Sequence, residues 1–182
     1  SIFPDEAKPC LCLTLPIWPI TCISKMTNLS NKQGKIILVG AGPGDAGLFT
    51  LQGKHWLQKA DVVLFDHLVN EDLLRFTQKE TEIIYVGKKE GVASLEQETI
   101  NELLTEKAKE GKIVVRLKGG DPFIFGRGGE EIQAANKFQI PFLIIPGITS
   151  VTGVAAYAGI PLTHRNLSSS LSVITGSNEK NQ

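Results

Sequence analysis

Several residue groupings in this chain have types and spacings that could do chemistry. Asp66 follows one short apolar run and Lys88 follows the next. A carboxylate and an ammonium placed this way can accept and donate a proton. Asp66 would equally suit a turn cap, and Lys88, beside Lys89, a solvated surface position. Gly40-Ala41-Gly42-Pro43-Gly44-Asp45 follows the first strongly apolar run. It is close to a dinucleotide fingerprint, but Asp45 stands where the third glycine belongs. Pro43 has no N–H for a phosphate, and Asp45 adds negative charge where a pyrophosphate needs donors. The loop suits a cationic ligand better than a polyphosphate.

The most informative stretch is Leu117-Lys118-Gly119-Gly120-Asp121-Pro122-Phe123-Ile124-Phe125-Gly126-Arg127-Gly128-Gly129. Paired glycines let backbone approach a ligand, and Pro122 stiffens the turn. Phe123, Ile124 and Phe125 are too apolar for an idle loop and could wall a flat ring system. Arg127 could meet a carboxylate.

The elements that must position these residues are legible from periodicity. Six Ile- and Val-rich runs, Lys35–Val39, Val62–Phe65, Glu82–Val86, Ile113–Leu117, Phe142–Ile145 and Leu171–Thr175, read as strands. Most are continuous, the pattern of strands buried on both faces. Between them, Leu95–Lys109 reads as a helix with a Ser94/Gln97 capping box and a Gly111 stop. Asn70 caps a helix through Phe76, and Gly129–Phe138 is a further helical stretch. The alternation predicts an α/β domain with a mainly parallel sheet and helices on both faces, whose ligands bind at the carboxyl ends of the strands. The small-residue stretch Gly153–Gly159 predicts close helix–sheet packing.

Composition narrows the classes. In 182 residues, 19 basic and 19 acidic side chains cancel, so no global field draws nucleic acid or an anionic membrane. Cys10, Cys12 and Cys22 all lie near the start, without partners at metal-ligand spacing. The apolar stretch from Leu11 to Ile23 is broken by Pro16 and Pro19 and is short of the roughly 20 residues a spanning helix needs. Residues 1–33 read as a leader unlike the rest, with Met26, the only methionine, as the expected natural start.

Taken in order, Val39-Gly-Ala-Gly-Pro-Gly-Asp45, Asp66-His-Leu-Val69, Tyr85-Val-Gly-Lys88, the run from Val115 to Glu130, Ile145-Pro-Gly-Ile-Thr-Ser150 and Tyr157-Ala-Gly-Ile-Pro-Leu-Thr-His-Arg165 resemble the uroporphyrinogen-III C-methyltransferases. The resemblance runs without gaps from residue 34 to about 177. It implies a tetrapyrrole-methylase N-terminal domain, a cytoplasmic homodimeric enzyme, and S-adenosyl-L-methionine as methyl donor. The implied reaction is double C-methylation of uroporphyrinogen III to precorrin-2, on the way to sirohaem and cobalamin. Matched residue by residue, it implies Asp66 as proton acceptor and Lys88 as proton donor. It places Pro43, Gly119, Gly120, Asp121, Ile124, Thr149 and Ser150 at the cofactor. Arg116, Lys118, Arg127, His164 and Arg165 are candidates for the substrate's carboxylates; His164 could equally pack locally. No metal is expected.

The resemblance divides the chain into a leader (1–33), a cofactor-binding α/β domain (34–165) and the start of a second α/β domain (166–182) that is expected to be truncated. Ser177 stands where the family usually has His. Three other readings remain: an inactive remnant or binding module, an NAD-dependent dehydrogenase with Asp66 as the ribose-binding acid, and a methylase acting on a different corrinoid intermediate.

Overall fold

Five of the six apolar runs form strands of one sheet. The computed structural model describes residues 34–87 and 96–175, all within one unit spanning 33–182. Residues 1–33 with the three cysteines and Met26, as well as Lys88, Ser94 and Ser177, lie outside the described residues.

The strands are β1 (Lys35–Gly40), β2 (Val62–Phe65), β3 (Glu82–Tyr85), β4 (Ile113–Lys118) and β5 (Phe142–Ile145). They lie in the order β3-β2-β4-β1-β5, and every pairing is parallel. Parallel neighbours need crossovers, which the chain supplies as α1 (Leu51–Leu57), α2 (Gln97–Lys109) and α3 (Gly128–Lys137). A fourth helix, α4 (Ser150–Tyr157), follows β5.

Strand alternation sorts the core into two layers. Ile37, Val39, Val63, Phe65, Val115 and Leu117 face Leu57 of α1 and Leu73 of a 3-10 helix, Glu71–Phe76. Ile36, Leu38, Val62, Leu64 and Val114 face Ile100, Leu104 and Ala108 of α2 and Ala135 of α3. Both faces are therefore covered, which is why the strand runs are continuously apolar.

Local chemistry sets most boundaries. Thr50 caps α1 by accepting from the Gly53 N–H at 3.0 Å, and Asn70 accepts from Asp72 N–H at 2.9 Å. Gly111 ends α2 with φ +86°, its N–H returning to Ala108 O at 3.0 Å.

Two expectations are corrected. Helix α2 begins at Gln97, two residues later than Leu95, and its N-cap is Glu96, which makes no side-chain capping bond. Glutamate is not among the short oxygen-bearing residues that reach the first helical amides. Leu171–Thr175 is not a strand. It lies outside the sheet with exposed side chains, Ile174 at 88%. Strand propensity counts only where a neighbouring strand offers a ladder.

Leu64 is fully buried in the central part of the sheet. Leu64→Ala is expected to cost about 2–5 kcal/mol, read as a lower urea midpoint at unchanged slope; a cost under 1 kcal/mol would show that this layer can collapse around the cavity.

Candidate functional site

At the carboxyl ends of β1, β4 and β5, three loops meet backbone to backbone. Ala41 N–H donates to Lys118 O at 2.8 Å, and Gly42 and Gly120 form an antiparallel bridge with bonds of 3.2 and 2.8 Å. A Cβ on Gly147 would stand 2.2 Å from Gly120 O, and one on Gly40 would stand 2.4 Å from Gly147 N. Only glycine permits this approach.

Asp121 ties the junction. Its Oδ1 accepts from Phe123 N–H at 2.8 Å and its Oδ2 from Gly147 N–H at 3.0 Å. One carboxylate thus shapes its own loop and holds the loop that leads into α4. Thr149 caps α4, with its Cα 3.7 Å and Ser150 N 3.9 Å from where a Cβ on Gly120 would be. Gly153 of α4 packs on the ring of Pro43 in the loop after β1, and the rest of the small-residue stretch is largely exposed, so the expected helix–sheet packing is not formed along it. The structure therefore brings Pro43, Gly120, Asp121, Thr149 and Ser150 to one edge of the sheet. Beside them Phe123, Ile124 and Phe125 are 56%, 44% and 62% exposed. Phe125 and Arg127 hold φ of 53° and 56°, strained values for residues other than glycine.

The glycine loop after β1 is held by two further bonds. Asn70 Nδ2 donates to Gly44 O at 2.8 Å, and Tyr157 Oη donates to Asp45 Oδ2 at 2.7 Å. The Tyr157 bond, with that from Gly47 N–H, holds the Asp45 carboxyl below its ordinary 3.8. The same bond pushes the Tyr157 phenol above its ordinary 10.0. The loop therefore offers carbonyls and an ionised carboxylate, a donor set that fits a cationic ligand and repels a diphosphate.

Asp66 lies just past β2, where its Oδ1 accepts from Leu68 N–H at 3.0 Å and its Oδ2 pairs with Arg116 Nη2 at 2.7 Å. It is therefore a turn cap and an ion-pair partner at once. Arg116 continues inward to Glu131 through Nε at 3.2 Å, and Lys118 Nζ reaches the same Glu131 oxygen at 2.9 Å. These three side chains are 4%, 6% and 0% exposed. Arg116 and Lys118, candidates for the substrate's carboxylates, meet carboxylates of the chain itself in this structure. Alternation along β4 turns both toward α3, where Glu131 pairs with each and Asp66 supplies the second negative charge. Burial pushes the Lys118 ammonium below its ordinary 10.5 against the pull of Glu131.

Arg127 is exposed and forms a two-pronged pair with Glu130 at 2.7 and 2.8 Å. His164 and Arg165 lie on an exposed turn closed by the His164–Ser168 bridge, and His164 Nδ1 contacts Arg165 O. Glu131, Tyr157 and Asn70 are the residues whose site contacts sequence reasoning missed. The signal available for Glu131 was two cations on one face of an otherwise apolar strand, which demand a buried counter-charge.

The fold and site define a parallel α/β domain whose ligand-facing edge is built from glycine loops. Residues 35–182 match the Tetrapyrrole (Corrin/Porphyrin) Methylases, and the chain belongs to that family. It is 57% identical over 143 residues to the uroporphyrinogen-III C-methyltransferase of Methanocaldococcus jannaschii, covering 79% of this chain and 59% of that protein. Against the siroheme synthase of Zymomonas mobilis it is 59% identical over 149 residues, covering 82% and 32%. The uroporphyrin-III C-methyltransferase of Thermus thermophilus superposes with a TM-score of 0.65 at 44% identity, over 73% of this chain and 56% of that one. A second structure of that enzyme, complexed with S-adenyl homocysteine, gives 0.61 at 43%, over 74% and 52%. The chain thus spans from about a third to three fifths of these relatives' lengths.

The bond between Tyr157 and Asp45 carries a pH signature. A depressed carboxylate stabilises the fold above 3.8 and loses that contribution as pH falls through its lowered value. A raised phenol stabilises below 10.0 and loses it as pH rises through its higher value. Tyr157→Phe is therefore expected to be less stable than the parent between those limits and to converge with it outside them. Urea titrations at a series of pH values test this; a gap independent of pH would assign the loss to something other than the hydrogen bond.

Proposed function

We propose that this chain carries the cofactor-binding part of an S-adenosyl-L-methionine-dependent uroporphyrinogen-III C-methyltransferase that forms precorrin-2. The observation that carries the reading is the three-loop junction at Gly42–Gly120 and Asp121–Gly147, which leaves carbonyls, glycine backbone and apolar side chains at one edge. The ionised Asp45 and the lack of an N–H at Pro43 favour a sulfonium and ammonium ligand over a dinucleotide. The names of the relatives point the same way.

In this reading Pro43, Gly119, Gly120, Asp121, Thr149 and Ser150 hold S-adenosyl-L-methionine, and Ile124 packs beside it. The cofactor supplies an electrophilic methyl group. The chain's task is to fix a nucleophilic carbon of the tetrapyrrole in line with that methyl, so alignment provides much of the rate. Asp66 takes a proton from the macrocycle, held in orientation by Leu68 N–H and Arg116. Lys88 returns one. Arg127, His164 and Arg165 meet the rim carboxylates of the substrate. The whole protein works as a cytoplasmic homodimer without a resident metal. Residues 34–165 form the cofactor domain, and 166–182 open a second.

The dehydrogenase reading is not favoured. Pro43 has no N–H to offer a diphosphate, and the ionised Asp45 repels one at the same loop.

Calorimetry of the purified chain with S-adenosylhomocysteine, with NAD in parallel, tests the proposal. Saturable binding of S-adenosylhomocysteine alone is expected. Asp121→Ala, which unties both loops, is expected to weaken it by about tenfold or more, equivalent to about 1.4 kcal/mol. Binding of NAD instead would overturn the reading, and binding of neither would favour an inactive remnant.

A further inference from the structure

From the geometry we infer that Glu131 is a positioning residue of the cofactor site, clamping the 119–127 loop from below through Lys118 and Arg116. The inference rests on the reading that this loop takes the cofactor.

The loop leaves β4 at Lys118 and enters α3 at Gly128. Glu131 stands in the first turn of α3, and its Oε1 receives both Lys118 Nζ at 2.9 Å and Arg116 Nε at 3.2 Å. The two ends of the loop are therefore pinned to each other by charge. The clamp is buried: Glu131 is 0% exposed at its side chain, and its Oε2 has no hydrogen-bond partner among the described residues. An apolar trio would fill this space at lower desolvation cost, so the charges are better explained by the geometry they impose than by stability.

The loop has reason to need a clamp. Phe125 and Arg127 are held at positive φ without being glycine. Such strain persists only where the surroundings over-determine the backbone. From above, Asp121 and Gly120 fasten the loop to its neighbours; from below, Glu131 is the ionic tie between its ends. Arg116 also grips Asp66 at 2.7 Å, so the same network sets the proposed proton acceptor relative to the loop. A ligand site built on a strained loop binds tightly only when that shape is paid in advance by the fold.

The test compares S-adenosylhomocysteine affinity by calorimetry in the parent chain, Glu131→Gln, Lys118→Met and Leu57→Ala, at a temperature where circular dichroism shows each folded. Leu57→Ala is a core lesion in α1, on the sheet face opposite Arg116, Lys118 and Glu131, and reports what loss of stability alone does. Glu131→Gln and Lys118→Met are expected to bind at least about tenfold more weakly than the parent, with Leu57→Ala binding as the parent does. Amide exchange in residues 119–127 is expected to rise in the first two variants only. Parent-like affinity in Glu131→Gln, or an equal loss in Leu57→Ala, would overturn the inference while leaving the cofactor reading intact. If Glu131→Gln does not fold, Lys118→Met decides. Failure of both to fold would also overturn the inference, since the network would then hold the fold rather than the loop. A parent chain that binds no S-adenosylhomocysteine would remove the cofactor reading itself.

Discussion

Backbone contact between Gly40, Gly120 and Gly147 is the constraint on which the ligand edge depends. Strands β4, β1 and β5 are neighbours, so the loops leaving them emerge side by side. Side chains at those points would hold the loops apart, since a Cβ on Gly147 would fall 2.2 Å from Gly120 O. With glycine there, the β1 and β4 loops add a bridge beyond the ends of their strands. Asp121 can then reach Gly147 N–H with one carboxylate oxygen while the other folds its own loop. The sheet order supplies the adjacency, and glycine converts adjacency into contact.

Beneath that junction lies a second kind of interaction. The β4 face that packs on α2 and α3 is apolar at Val114 and charged at Arg116 and Lys118. Such a pattern is tolerable only with a counter-charge in place, and α3 brings Glu131 there in its first turn. Asp66 completes the chain of charges at the edge of the sheet. The network thus joins the carboxylate beyond β2 to the start of the glycine loop beyond β4. Above it, Tyr157 and Asn70 fasten the β1 loop from two later points in the chain, one from α4 and one from the turn after β2.

This arrangement separates roles that the residue types alone leave mixed. Of five cationic or imidazole side chains that could meet a carboxylated substrate, two are buried in the ion network and three are exposed: Arg127, His164 and Arg165. Arg127 is presented to solvent as the left-handed residue before α3, with Glu130 bracing its guanidinium. The exposed Phe123, Ile124 and Phe125 lie just ahead of it on the same loop. Apolar and cationic groups thus stand together on one loop.

Much of the architecture was legible in the residues alone. Continuous Ile and Val runs mark strands buried on both faces, and every one of the five that pairs in the sheet could be read from that pattern. The glycine loops, and the unsuitability of Pro43 and Asp45 for a diphosphate, follow from covalent chemistry that needs no fold. Sequence failed where the answer depended on a neighbour distant along the chain. Leu171–Thr175 has strand composition but lies outside the sheet. Arg116 and Lys118 carry charges suited to a ligand, yet the two-residue period of a strand turns both toward a glutamate on the following helix. Local sequence determines what each side chain can do; only the packing of β4 against α3 decides which charges are free to do it, because desolvation forces buried ions to find one another.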